Sequence, residues 1–330
     1  MIKRITAVLL AAVIAAAVLC GCGRDDGAAE QQLTVVGFSQ VGAESEWRVA
    51  NTEDIKAALS EENGFELIYA DAQQKQENQI RDIRGFIQQR VDYIVLSPIT
   101  ETGWDTVLEE AKAAGIDVIL VDRMVKVSDE SLYKAYVGSN FRAEGDKAVN
   151  WLESRLSQQG RSGEDINIVH IQGTLGSSPQ LGRSSALEDG VERNSHWHIV
   201  EQADGDFTRS KAYEVMTSVL DRTQDIDVVY CENDGEAFGV IDALEEHGMT
   251  CGGSDGVIII SFDATRMGLD KCLEGKINYV VECNALQGKY VSEILRCLDR
   301  GETVSKISYV NETQFDCDTI TRQMIDCRKF

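Results

Sequence analysis

The sequence predicts an α/β protein of two doubly wound parallel-sheet lobes. Three observations carry that expectation. The chain has 330 residues, more than one core usually serves. Short β-rich runs alternate with helix-period segments, the pattern of a parallel sheet with crossover helices. After residues 134–137 that rhythm starts again. Apolar residues make up 43% of the chain and aromatic residues 7%, enough to bury a core and unlike a disordered chain.

The first 32 residues are expected to lie outside the fold. Lys3 and Arg4 precede an apolar run over residues 5–19, the form of an export signal. At about 15 residues the run is short for a bilayer span of roughly 20. Leu19-Cys20-Gly21-Cys22 resembles a bacterial lipobox, which would make Cys22 the acylated first residue of the mature chain. The alternative is an uncleaved N-terminal anchor helix. Either reading exports the bulk of the chain and ties it to a membrane only at its N-terminus. Residues 1–21 are read as signal peptide and 22–32 as a polar tether.

In the first lobe, LTVVGF (residues 33–38) reads as a strand and 47–60 as its helix. Strand 65–70, helix 74–89, strand 93–96, helix 103–114 and strand 118–121 follow. In the second lobe, strands near 166–171, 199–202, 228–230, 257–261 and 278–281 alternate with helices near 142–156, 183–193, 209–220, 237–246 and 264–273. A last helix is expected over 285–300. Pro98 and Pro179 are the only prolines, so no Pro-rich linker parts the lobes.

The charge excludes one class of partner. With 55 acidic against 32 basic residues and a formal charge of −23, the chain repels phosphate backbones, and nucleic acid is not an expected partner. Metal binding has little support: His196 and His198 flank Trp197 with no acid or cysteine at ligand spacing. Seven cysteines, Cys231, Cys251, Cys272, Cys283, Cys297, Cys317 and Cys327, crowd the C-terminal third. Their spacings match no CxxC or zinc pattern, so disulfides and buried free thiols both stay open. No cofactor is expected.

Open parallel sheets bind ligands beyond the carboxyl ends of their strands. There this sequence places Ser39-Gln40, then Glu44, Glu46, Trp47 and Arg48, then Asp71 with Gln73 and Gln74, then Asp122-Arg123, then Gln172-Gly173 with Arg183 at the next helix start. Asp206-Phe207-Thr208-Arg209, Glu232-Asn233-Asp234, Asp263, and Glu282 with Asn284 complete the set. Charged, planar hydrogen-bonding groups beside two isolated aromatics suit a ligand with many hydroxyls and a few C–H faces, such as a sugar. An Asp or Asn at a strand end can equally be a helix N-cap. Asp122-Arg123 favours ligand contact, because a cap needs no arginine.

The motifs VGFSQVGAESEWR (36–48), DAQQKQENQI (71–80), VDR (121–123), QGTLGSS (172–178) and GDFTRSKA (205–212) occur in one order. Over residues 33 to about 313 the chain resembles the ribose/galactose-type (type I) sugar-binding proteins of ABC importers. SQVGAESEWR and GDFTRSK point to the galactofuranose-binding group within that class. The resemblance implies a clam whose lobes are joined by a three-crossing hinge and close around a monosaccharide for an ABC permease and its ATPase. It puts residues 33–139 with 285–303 in the first lobe and 140–284 with 304–330 in the second. It assigns sugar contact to Trp47, Arg48, Asp122, Arg123, Arg183, Phe207, Arg209, Asn233 and Asp263, with Ser39 and Glu46 beside them. Glu282 stands where many members carry glutamine. The implied protein is a monomer, exported and lipid-anchored on the outer face of the cytoplasmic membrane.

Two rival functions stand beside that reading. Glu44 with Glu46, or Asp204 with Asp206, could be drawn as the carboxylate pair of a glycosidase. Against that, the chain has no nucleophile elbow, HExxH or phosphate loop. The other rival is a sensor whose closed clam docks on a chemoreceptor or histidine kinase.

Overall fold

The computed structural model describes residues 33–253 and 255–330. The expected signal peptide, Cys22 and the polar tether lie outside the described residues. Among those described, no helix is long and apolar enough to cross a membrane.

The first lobe is built on β1 (Thr34–Gln40), β2 (Phe65–Asp71), β3 (Tyr93–Leu96), β4 (Asp117–Asp122) and β5 (Ala135–Gly138). With β11 (Ile307–Tyr309) they form one parallel sheet in the order β11-β5-β4-β3-β1-β2. Successive side chains of a strand face opposite ways, and here both faces are covered. Val95, Ile119 and Val121 pack with Ile55 of α1 (Glu46–Ala58), with Leu59 that caps its end, and with Val291 and Leu295 of α9 (Gly288–Asp299). On the other face Ile94, Leu96, Val118 and Leu120 meet Ile83 and Phe86 of α2 (Gln76–Gln89) and Val107 and Leu108 of α3 (Asp105–Ala113). Helices on both faces explain why VILV at residues 118–121 is continuously apolar.

The second lobe repeats the plan with the sheet order β12-β10-β9-β8-β6-β7. Its strands are β6 (Ile166–Gln172), β7 (Trp197–Asp204), β8 (Val228–Cys231), β9 (Ile258–Asp263), β10 (Tyr279–Glu282) and the antiparallel edge β12 (Gln314–Asp316). One face carries α4 (Phe141–Gln158) and α5 (Ser178–Arg193). The other carries α6 (Arg209–Leu220), α7 (Asp234–Glu246) and α8 (Arg266–Leu273). A short α10 (Arg322–Asp326) ends the chain.

Helix starts follow local chemistry. α5 begins five residues before the expected Arg183, because Pro179 fits the first turn, where a missing N–H goes unnoticed. α7 begins at Asp234 on a capping box: the Asn233 side chain accepts from the Glu236 amide at 2.8 Å, and the Glu236 carboxylate accepts from the Asn233 amide.

Three stretches cross between the lobes: β5 into α4, β10 into α9, and β11 into β12. The last comes later than the sequence suggests. The chain was expected to rejoin the second lobe at about Val304, yet β11 runs parallel to β5, with Ile307 opposite Tyr136, and only β12 reaches the second sheet. This strand covers the edge that β5 would otherwise expose, and the Val310 amide extends the pairing to the Gly138 carbonyl at 3.0 Å.

Candidate functional site

The carboxyl ends of the two sheets face one another, and the lobes touch across the gap. The Met124 amide donates to the Ser178 hydroxyl at 2.9 Å, and the Glu101 amide to the Gly176 carbonyl at 2.9 Å. Between them lies a cavity of about 20 Å³. Trp47, Arg48, Asp122, Arg123, Arg183, Phe207, Asn233 and Asp263 line it together with Glu44, Ser45, Phe141, Pro179 and Cys283. That volume holds about one water, so the lobes must part slightly to seat anything the size of a sugar ring.

The first-lobe wall is a buried ion network. Ser45 caps α1, accepting from the Arg48 amide at 3.1 Å, and so turns Glu44 and Arg48 onto one side of the helix start. Arg48 Nε meets Glu44 Oε1 at 2.8 Å and its Nη1 meets Asp122 Oδ2 at 2.7 Å. Arg123 lies 3.8 Å from both carboxylates and donates to the Ile99 carbonyl at 3.0 Å. Burial and then the neighbouring Arg48 charge lower the Arg123 guanidinium to about 10, so it stays charged at neutral pH. Burial works against ionised Glu44, but Arg48 and Arg123 outweigh it and hold that carboxyl below the usual range. Among the described residues, Glu44 Oε2 and Arg123 Nε have no hydrogen-bond partner although both are buried. Unmade bonds of that kind cost about 1–3 kcal/mol each, and a ligand hydroxyl would satisfy them.

The second-lobe wall is organised by Arg183. Its Nε and Nη2 both reach Glu144 Oε2 at 2.8 Å, its Nη1 donates to the Glu232 carbonyl at 2.5 Å, and its guanidinium lies 4.7 Å from the Phe262 ring centre. Glu232 is fastened in turn by His170 at 2.9 Å, Ser184 at 2.7 Å and the Gly173 amide at 2.9 Å. Burial, against the pull of Arg183 and with Asp234 adding repulsion, pushes the Asp263 carboxyl well above its ordinary range.

Two aromatics close the ends. Trp47 donates its indole N–H to the Cys283 carbonyl at 2.6 Å, which ties the first lobe to the second crossing. Phe207 lies over Gly173, where any Cβ would sit 1.9 Å from its ring; only glycine leaves that space. Asp122, Asp206, Phe207, Asp263 and Ala264 all have left-handed backbones, φ from 52° to 100°. Such conformations are costly for residues with a Cβ, and here they gather at the cavity.

Four expected contacts lie elsewhere. Ser39 donates to Asp82 at 2.8 Å, on the α2 side of the sheet and away from the cavity. Glu46 and Arg209 border an adjoining chamber, and Arg209 pairs with Asp242 at 2.7 Å. Glu282 is held by Arg328 at 2.5 Å and accepts from the Thr313 amide at 2.9 Å. The reason lies in the tail, which carries Arg328 over the end of β10 and packs Phe330 beside the cluster of Trp47, Phe141, Cys283 and Ala285. Cys283, one residue further on, lines the cavity instead. Glu44, a strand-end acid in the sequence, is not among the sugar contacts that the resemblance assigns, although its spacing four residues before Arg48 is a helix-pair signal.

The three crossings meet at Glu312. It accepts from the Ser139 hydroxyl and, at 2.9 Å, from the Asn284 amide, while Ser139 lies 3.4 Å from the Cys283 sulfur. Glu144, Cys283 and Glu312 each bring one ligand-type atom within 4.8 Å of the others. Burial, reinforced by the Glu144 charge, pushes the Glu312 carboxyl up to about 8.

A family model described as periplasmic binding protein domain matches residues 36–302. The galactofuranose-binding protein YtfQ of Escherichia coli (strain K12) is 35% identical over 293 residues, 88% of this chain and 90% of that protein. A Mycobacterium smegmatis protein solved in complex with beta-D-fucofuranose is 42% identical with a TM-score of 0.82, covering 86% of this chain and 91% of that one. The periplasmic binding component of the arabinose ABC transporter from Shewanella sp. ANA-3, bound to alpha and beta-L-arabinofuranose, is 35% identical with a TM-score of 0.83, covering 90% and 96%. With two six-stranded parallel-type lobes and a cavity between their strand ends, this chain belongs to the periplasmic binding proteins, in their type I, sugar-binding branch.

Proposed function

We propose that the protein captures a monosaccharide in its furanose form, galactofuranose foremost, between its lobes and hands it to an ABC importer. One observation carries the reading. The cavity presents buried, unpartnered hydrogen-bonding atoms, Glu44 Oε2 and Arg123 Nε, between two aromatic side chains, Trp47 and Phe207. Hydroxyls would meet the charges and C–H faces the rings. The furanose preference is supported by relatives whose names or bound sugars are furanose. Delivery to a permease is supported by the arabinose transporter component among them.

In this reading the site binds without turning its ligand over, because neither carboxylate pair that could be drawn as a glycosidase's, Glu44 with Glu46 or Asp204 with Asp206, is arranged for it. A glycosidase needs one carboxyl held protonated as general acid. Glu44 is held ionised by two guanidiniums, and Glu46 lies exposed outside the cavity. Asp204 is paired with Lys211, and Asp206 accepts from Thr174 at 2.8 Å. In this reading the chain acts as a monomer outside the cytoplasm, held to the membrane by a lipid on Cys22.

Titrating the protein with D-galactose while following tryptophan fluorescence tests the proposal. Trp47 borders the cavity, so saturable quenching or enhancement is expected, and it should vanish in Trp47→Phe. A signal unchanged by that substitution would place the ligand elsewhere. Free galactose holds only a minor furanose fraction, so its apparent affinity is reduced by that fraction.

A further inference from the structure

A second chamber of about 170 Å³ adjoins the central cavity and shares Glu44, Ser45, Trp47, Phe207 and Asp263 as common walls. Phe238 and Thr265 form its floor, both buried, and its rim is Met267, 37% exposed, with the exposed Glu46 and Arg209. The central cavity takes about one water, whereas this chamber takes on the order of ten. We propose that the site also takes a ligand with a second sugar ring, the furanose in the central cavity and its partner ring in this chamber; the inference rests on the furanose reading above and extends it beyond the single ring.

The chemistry of the chamber fits a sugar ring. Phe238, Met267 and the outer sides of Trp47 and Phe207 offer apolar surface for C–H faces. Asp234, though it borders the chamber, is committed to Ser261 at 2.6 Å and to Thr265 at 2.8 Å. Hydroxyl recognition therefore falls to Glu46 and to Arg209 Nη1, the nitrogen that its pair with Asp242 does not use; these are two of the four expected sugar contacts that the central cavity leaves out. Because the rim is exposed, the far end of a longer ligand need not be enclosed when the lobes close.

The test is calorimetry with two probes, free D-galactose and a β-(1→6)-linked galactofuranose disaccharide, whose rings present a substituted O1 and a substituted O6. The disaccharide should bind at least as tightly as the free sugar. Met267→Trp, which fills the chamber from its exposed rim, should weaken the disaccharide at least tenfold more than galactose. Arg209→Ala should cost the disaccharide several-fold if the bulky variant fails to fold. The inference is overturned if galactose binds and the disaccharide binds more than tenfold worse, or if both variants affect the two sugars equally. Failure of both sugars to bind would overturn the furanose reading and this inference with it.

Discussion

The Asn284 amide of the second crossing donates to the Glu312 carboxyl of the third at 2.9 Å, and Ser139 of the first donates to the same oxygen. One side chain thus ties together all three segments that must bend when the lobes open. Glu144, within 4.8 Å of Glu312, also holds Arg183 in the cavity wall, so the hinge and the binding site share a residue.

That arrangement makes stability depend on pH. The folded protein holds the Glu312 proton up to about 8, whereas an unfolded chain releases it near 4.3. Between those values the folded state binds more protons, so stability falls as pH rises through the window; below it, both states are protonated. Allowing for partial exposure of the carboxyl, the loss is about 1–2 kcal/mol. Glu312→Gln keeps an acceptor and cannot ionise, so thermal melts between pH 5 and 9 should show a flatter dependence than the parent. An unchanged slope would assign the proton to another group.

Arg123→Ala should weaken sugar binding more than tenfold, about 1.4 kcal/mol. Arg123→Lys should recover only part of it, since a point charge replaces the planar fork beside Phe207. An unaltered affinity in the alanine variant would mean that the site lies elsewhere.

Gly173→Ala should push the Phe207 ring off its seat, because the new methyl would lie 1.9 Å from it. Overpacking of this kind costs about 1–3 kcal/mol. Sugar affinity should fall about tenfold as the aromatic wall moves. A variant that binds normally would remove Phe207 from the recognition surface.

Arg328→Ala separates Glu282 from the site. It leaves the buried Glu282 carboxylate without its guanidinium partner, a loss of about 1–3 kcal/mol in stability measured by thermal melting. Sugar affinity should change less than threefold, because neither residue lines the cavity. A tenfold affinity loss would restore Glu282 to sugar contact.

The two lobes are legible in the sequence because sheets covered on both faces leave continuous apolar runs such as residues 118–121 and 257–260, with charged helices between them. β11 is not: Ile307-Ser308-Tyr309 is a three-residue edge strand with Ile307 and Tyr309 exposed, too short for a period to emerge. Asp122-Arg123 is legible because a charged pair ends an apolar strand. Glu282 misleads for the same reason, since it too ends an apolar strand, and only the folded tail brings Arg328 to neutralise it. Glu44 hides beside Glu46 as one more loop acid until the Ser45 cap turns it toward Arg48.

The most direct measurement is calorimetry of the exported protein against galactose, fucose, arabinose, ribose and glucose. Capture of a galactose-type furanose predicts that galactose or fucose binds at least tenfold more tightly than ribose once each affinity is corrected for its furanose fraction. Ribose binding as well as or better than the galactose-type sugars would contradict it.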